Sequence, residues 1–152
     1  MFIFLTGRVS PRSEPPPFRA GRLHNLLLQY SMRMIRTFLK SKIHRATVTQ
    51  VDLNYEGSLG VDADLMKAAD ILPYELVQVY NINNGERFET YAIEESAGSG
   101  TIALKGAAAR KGAVGDLIII TCYTTIDDKN AGGFEPSVIL VDKNNRIKGA
   151  KA

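Results

Sequence analysis

The sequence has little from which a disulfide framework, a metal centre or a membrane span could be built. Its 152 residues include one cysteine, two histidines and no tryptophan. A lone Cys122 cannot form an intramolecular disulfide, and so few sulfur and imidazole ligands argue against a structural zinc site. No apolar run approaches the roughly 18 residues that a membrane-spanning helix needs. We therefore expect one cytoplasmic globular domain without a metal and without a membrane partner.

Signals for nucleotide and nucleic-acid binding are also missing. The sequence contains no phosphate-binding loop, no Gly-x-Gly-x-x-Gly motif and no His-Glu-x-x-His motif. The net charge of +3 and the pI near 9.0 would by themselves suggest a nucleic-acid partner. However, five arginines against one glutamate stand within the first 33 residues, together with four of the six prolines. The rest is nearly neutral and lacks a basic stripe interleaved with aromatics, so we expect no nucleic-acid partner.

Residues 1–33 are predicted to be a disordered, Pro/Arg-rich extension. The apolar run Phe2–Leu5 is too short for the core of a signal peptide. A triple proline further along would break the amphipathic helix of a transit peptide. We interpret the segment as an unstructured extension, or as sequence upstream of a start at Met32 or Met34. The folded domain then comprises residues 34–152.

The remaining sequence is typical of a small, mainly β domain. Short runs that alternate apolar and polar residues predict about seven strands. A helix is predicted over 63–69 after an N-cap at Asp62, and the Asn-Gly pair within Asn83–Glu86 predicts a hairpin. These elements indicate a small β-barrel with one or two short helices, whose exposed strand edges favour an oligomer. The predicted strands are 35–43, 46–53, 75–82, 87–93, 101–104, 117–125 and 136–142.

The segment Tyr55-Glu-Gly-Ser58 should form a tight connection after a strand. Taken alone it would be an ordinary turn, because Gly and Ser are common turn residues. Its surroundings favour a second interpretation, since five ordered blocks resemble the aspartate 1-decarboxylase family, whose members depend on a pyruvoyl group. The resemblance extends from Met34 to about Asp142. The five blocks are Lys42–Arg45, Asp52–Ser58, Asn83–Ile93, Gly106–Ala109 and Val114–Asp116.

The resemblance implies a self-processing zymogen with a double-ψ β-barrel fold, assembled as a homotetramer of cleaved chains. The implied reaction converts L-aspartate into β-alanine and CO2 for pantothenate and coenzyme A biosynthesis. Cleavage between Gly57 and Ser58 would turn Ser58 into the covalent pyruvoyl cofactor, which forms a Schiff base with the substrate. A maturation factor is a further candidate partner.

The resemblance also implies a role for each matching residue. Ser58 would be the nucleophile of processing, Thr90 would stabilise the oxyanion of that step, and Tyr91 would donate the proton of turnover. Cationic side chains suit the two carboxylates of aspartate, because ammonium and guanidinium groups bind carboxylates strongly. Lys105 stands where the family commonly has Asn. The implied substrate contacts are Lys42, His44, Arg87, Thr90, Gly106, Ala107 and Ala108.

Strand geometry adds a condition to this interpretation. On a flat strand Arg87 and Tyr91 would share a face about 13 Å apart, while Thr90 would point to the opposite face. A bend, or residues from a neighbouring subunit, must bring them together. The resemblance implies a site at a subunit interface, and we therefore predict that the isolated monomer is inactive. The alternative is a non-catalytic double-ψ or swapped-hairpin β-barrel that serves as a binding module. A binding module has no reason to keep Gly57-Ser58, Arg87 and Thr90-Tyr91 in this order.

Overall fold

A computed structural model describes residues 34–150, which form nine strands, one α-helix and two short 3₁₀ helices. The predicted mainly β fold, a small barrel with short helices, is confirmed. The prediction of disorder for 1–33 lies outside the described residues. The strands are β1 (Ile35–Thr47), β2 (Gln50–Asp52), β3 (Ser58–Asp62), β4 (Leu76–Asn81), β5 (Arg87–Glu95), β6 (Ile102–Lys105), β7 (Leu117–Asp127), β8 (Ser137–Val141) and β9 (Ile147–Ala150). The helix α1 is Ala63–Ala68, and the 3₁₀ helices are Gly106–Lys111 and Asp128–Asn130.

The strands are hydrogen-bonded in the order β2-β6-β3-β5-β4-β7-β1-β8-β9. Three neighbouring pairs are parallel, namely β1 with β8, β2 with β6 and β3 with β5, and the others are antiparallel. Strand β3 lies between β5 and β6, and all five of its residues are buried. The Gly57–Ser58 peptide therefore lies at the N-terminal end of a central, fully buried strand.

Two sequence predictions hold closely in the structure. The helix begins directly after Asp62, whose carboxylate accepts a hydrogen bond from the Asp64 N–H at 2.8 Å. Strands β4 and β5 form the predicted antiparallel hairpin, and Gly85 takes φ 80° in its turn. Both signals are local, because a cap and a two-residue turn motif act within a few residues of themselves.

The predicted strand boundaries near the start of the domain are wrong. A single strand, β1, replaces the predicted break after 43, and it absorbs irregular residues by shifting its register against β7. Arg45 has φ 61° at the second of these shifts, which is typical of a β-bulge. Strand β3, which begins at Ser58, and strand β9 were not among the predicted strands.

One apolar core fills the space between the strands. Its largest fully buried apolar side chains come from β1 and the residue that follows it, from β3, β4, β6 and β7, and from α1. They are Ile43, Val48, Leu59, Val61, Met66, Val77, Val79, Ile102, Leu104, Ile118 and Ile120. Burial raises the pKa of the Cys122 thiol in β7 to about 12, so this cysteine is an inert core residue. Within residues 34–150, no helix has the length and apolar character needed to cross a membrane.

Candidate active site

The backbone around the Gly57–Ser58 peptide is strained. Gly57 has φ 98°, and Ser58 has φ 144°, a conformation that residues with a side chain rarely adopt. The Ser58 side chain is buried, and its Oγ has no hydrogen-bond partner among the described residues. A buried hydroxyl without a partner costs free energy, and it persists where it has a chemical use. Strain and an unpaired nucleophile thus occur on one residue.

Tyr91 contacts the carbonyl that precedes this serine. Its hydroxyl donates a hydrogen bond to the Gly57 carbonyl oxygen at 3.1 Å. The parallel pairing of β3 with β5, which places Leu59 opposite Ala92, brings Tyr91 beside the start of β3. The Tyr74 ring lies against the Tyr91 ring with centroids 6.4 Å apart. The pairing of two strands distant in sequence therefore delivers a hydroxyl to the carbonyl group.

A cavity of about 220 Å³, here called the serine cavity, opens beside Ser58. Both Thr90 and Tyr91 line it, although a flat strand would have placed them on opposite sides. Lys111 is the one cation among its lining residues, and its Nζ lies 2.8 Å from Glu86 Oε2. The full lining comprises Gly57, Ser58, Phe88, Glu89, Thr90, Tyr91, Ala107, Ala108 and Lys111.

The 3₁₀ helix after β6, Gly106–Lys111, packs directly against the strained connection. Gly106 has φ 60°, and a Cβ built on it would lie 2.5 Å from Gly57 Cα and 2.8 Å from the Tyr55 carbonyl oxygen. Only glycine permits this approach without displacing the backbone. The two alanines that follow, Ala107 and Ala108, line the serine cavity. The structure thus brings the predicted Gly106–Ala108 segment to Ser58.

Four predicted substrate contacts do not line the serine cavity: Gly106, which packs behind it against Gly57, and three polar side chains that lie elsewhere. Lys42 and His44 on β1 line a second and larger cavity of about 1070 Å³, here called the cation groove, together with residues of β8. The two cavities share no lining residue within 34–150. The Arg87 guanidinium lies over the Tyr80 ring, 4.9 Å from its centroid, and lines neither cavity. One copy of the chain therefore does not bring these side chains to Ser58.

Two residues near Ser58 were not predicted from the sequence. The first is Lys111, for which the sequence offers no signal, since it is one of many lysines. The second is Glu95, whose carboxylate forms an ion pair with Lys105 and occupies the space that a side chain at Gly60 would need. A glycine inside a strand often marks such a close approach, so Gly60 carried a usable signal.

Comparison with known proteins identifies the family. The family model described as aspartate decarboxylase matches residues 34–148. The chain belongs to the aspartate decarboxylase family. Relatives named aspartate 1-decarboxylase include that of Syntrophus aciditrophicus, 58% identical over 115 residues, which are 76% of this chain and 99% of the relative. That of Thermoanaerobacter pseudethanolicus is 59% identical over 113 residues (74% and 97%), and that of Ralstonia pickettii is 52% identical over 118 residues (78% and 98%).

Proposed function

We propose that this protein cleaves its own chain between Gly57 and Ser58 and then decarboxylates L-aspartate to β-alanine and CO2. One observation carries the proposal: the Ser58 Oγ is buried without a partner, on a strained backbone, next to a carbonyl that Tyr91 contacts. Membership of the aspartate decarboxylase family and the names of the relatives support the reaction and its place in pantothenate synthesis.

The cleavage needs only atoms of this chain and water. Ser58 Oγ attacks the Gly57 carbonyl carbon, so that an ester C–O bond forms as the peptide C–N bond breaks, and the hydroxyl proton passes to the Ser58 nitrogen, which becomes a free amine. Thr90 lines the cavity and is our candidate donor to the oxyanion, where one oriented donor lowers the barrier by about 3 kcal/mol. Loss of the Ser58 Cα proton and cleavage of its Cβ–O bond release the Gly57 carboxylate. Hydrolysis of the remaining unsaturated residue releases ammonia and leaves a pyruvoyl group.

The residues around Ser58 fit such a group. Ala107 and Ala108 leave room in front of it, and the surrounding backbone excludes most solvent from Ser58. Once formed, the pyruvoyl group supplies a carbonyl that accepts the substrate amine and withdraws the electron pair left by CO2. The Tyr91 hydroxyl holds a proton at the wall of the cavity, and it is our candidate donor to the substrate carbon.

The position of the cations supports a site shared between copies. Aspartate carries two carboxylates, whereas the one cation lining the serine cavity, Lys111, is already paired with Glu86. We assign Lys42, His44 and Arg87 to the substrate site of an adjacent copy, because a single chain keeps them away from Ser58. This arrangement supports the predicted homotetramer. The predicted cytoplasmic location and a maturation factor remain predictions.

Intact mass spectrometry of the purified protein tests the proposal. We expect two fragments that separate at Gly57–Ser58, the second with the mass of an N-terminal pyruvoyl group, and CO2 release from aspartate. Ser58→Ala should remain whole and inactive. Ser41→Ala is the matched control and should still be cleaved. Ser41 is also buried, but its hydroxyl donates a hydrogen bond to the Asp70 carbonyl oxygen. A wild-type chain that stays whole and inactive after prolonged warming would favour the binding-module alternative.

A further inference from the structure

Lys105 lies directly beside the scissile serine, yet its charge is already engaged. In the antiparallel pairing of β3 with β6, Lys105 stands opposite Ser58. Its Nζ lies 2.5 Å from Glu95 Oε1, and the two side chains are 13% and 22% exposed. A lysine held by a carboxylate at this degree of burial is poorly placed to capture a substrate carboxylate, since the existing ion pair would first have to break.

Gly60 makes room for this ion pair. It lies within β3, two residues beyond Ser58, and a Cβ built there would overlap Glu95 Oε1 and approach the Glu95 Cδ to 3.1 Å. Any larger residue at this position would push the Glu95 carboxylate away from Lys105. Gly60, Glu95 and Lys105 therefore form one packed set, with one member on each of three adjacent strands.

The Lys105 ammonium group also reaches the scissile connection itself. Its Nζ lies 4.2 Å from the centroid of the Tyr55 ring, within the range of a cation–π contact. Tyr55 precedes Gly57 by two residues, and its carbonyl oxygen packs against Gly106. The connection is thus held at two points: the Tyr55 ring contacts Lys105, and the Tyr55 backbone contacts Gly106.

We propose that the Lys105–Glu95 ion pair, seated by Gly60, fixes Tyr55 and so positions the Gly57–Ser58 peptide for self-cleavage. The inference rests on the proposed function, because it concerns the same bond. Lys105 is then a positioning residue of chain processing and not a cation of the substrate site. It takes no part in the covalent step, in which the Ser58 Oγ–carbonyl bond forms as the peptide C–N bond breaks.

The rate of cleavage in full-length variants tests this role. We expect Lys105→Met and Glu95→Gln to slow cleavage at least about tenfold, since a small misplacement of a nucleophile costs rate steeply. Lys105→Arg should retain the wild-type rate, because a guanidinium keeps both the ion pair and the ring contact. Lys40→Met is the matched control. It breaks another Lys–Glu pair, with Nζ 2.6 Å from Glu75 Oε1 and side chains 21% and 23% exposed, and should cleave normally.

Two further measurements separate positioning from substrate binding and from misfolding. Per mole of cleaved chain, Lys105→Met should keep the wild-type KM for aspartate, whereas loss of a substrate cation would raise it. Tyr55→Leu leaves the ion pair in place and removes the ring, so it should also slow cleavage, whereas Tyr55→Phe should not. The Tyr55 variants decide the question if Lys105→Met fails to fold.

The outcomes distinguish this inference from the proposed function. A wild-type chain that never cleaves would overturn both. Normal cleavage of the wild type, Lys105→Met and Tyr55→Leu would overturn the positioning role alone and leave the decarboxylase proposal standing. A raised KM with an unchanged cleavage rate would also overturn it, because Lys105 would then serve the substrate.

Discussion

The serine cavity and the cation groove differ in what they can do. The serine cavity is small and contains a strained nucleophile, a carbonyl held by Tyr91 and a row of small residues. The cation groove is several times larger and contains Lys42 and His44. Its serine, Ser137, donates its hydroxyl to the Ala68 carbonyl oxygen, whereas the Ser58 Oγ has no such partner. The residues that we propose for self-cleavage therefore lie together in one chain, while the side chains that suit an anionic substrate lie elsewhere.

The difference follows from how the two cavities are built. The serine cavity forms where the buried central strand β3 meets β5 and the 3₁₀ helix after β6. Strand pairing and core packing therefore fix the positions of its lining residues. The cation groove lies along the parallel pair β1–β8, which is near the end of the strand order. Lys42 and His44 are half-buried there, so a second surface laid over the groove would complete their burial. Cleavage should therefore depend on the chain itself and turnover on its assembly.

The largest expected effect is the complete loss of activity in Ser58→Ala, which complementation by a second, impaired variant should partly reverse. Ser58→Ala removes the nucleophile of one cavity. Lys42→Ala should lower kcat/KM for aspartate about 10–100-fold, the value of one hydrogen bond to a charged group. If the site is shared, co-expression of the two should regain activity, because roughly a quarter of randomly assembled sites combine an intact Ser58 with an intact Lys42. The measurement is CO2 release by the purified mixed assembly.

A matched co-expression controls for dosage and for altered assembly. The Lys42→Ala chain is paired with a Ser58→Ala/Lys42→Ala double variant, since no combination of these two contains a complete site. This control should show only the residual activity of Lys42→Ala. If the complementing mixture is no more active than the control, Ser58 and Lys42 do not combine across two copies. That result would contradict a substrate site shared between copies.

The next largest effect tests whether the Tyr91 hydroxyl in the serine cavity takes part in turnover. Tyr91→Phe removes the hydroxyl but keeps the ring against Tyr74. Loss of a general acid should lower kcat per cleaved chain about 100-fold, with little change in KM. Tyr74→Phe is the control, because it removes a hydroxyl from the neighbouring ring, which is largely exposed. A Tyr91→Phe enzyme with wild-type kcat per cleaved chain would remove Tyr91 from the reaction.

The smallest effect concerns the far end of β3, which anchors the strand that carries Ser58. Burial alone would raise the pKa of Asp62, but N–H groups of Gly100, Asp64 and Gly98 donate to its carboxylate and hold that pKa below the usual value of an aspartate. A depressed pKa in the folded state means that the stabilisation is present above about pH 4 and is lost as the pH falls through the folded-state value.

Replacement of Asp62 by Asn should therefore lower the free energy of unfolding by about 1–2 kcal/mol at neutral pH. In urea titrations the difference between the wild type and this variant should shrink as the pH falls below 4. The exposed neighbour Asp64 provides the control Asp64→Asn, which should change stability less. A difference that stays constant from pH 7 to pH 3 would contradict the assigned role of the carboxylate.

Local sequence signals predicted the elements that depend on neighbouring residues. The Asp62 cap gave the start of α1, and the Asn84-Gly85 pair gave the hairpin, because both act through backbone geometry within one turn. The bulge at Arg45 was not predictable, since a register shift depends on the partner strand β7. The contact between Glu95 and Lys105 was missed for the same reason. It joins β5 to β6 across β3, in the space that Gly60 leaves because it has no side chain.

The sequence by itself determined the family and the mainly β class, and it pointed to Ser58 as the candidate nucleophile. Ordered motifs and alternating apolar residues can be recognised without a structure. Only the tertiary structure decided that Ser58 is strained and unpaired, that Tyr91 reaches the Gly57 carbonyl, and that Lys42 lies in a separate groove. These properties come from strand pairings between residues far apart in the chain, and no local pattern encodes the distance between two side chains on different strands.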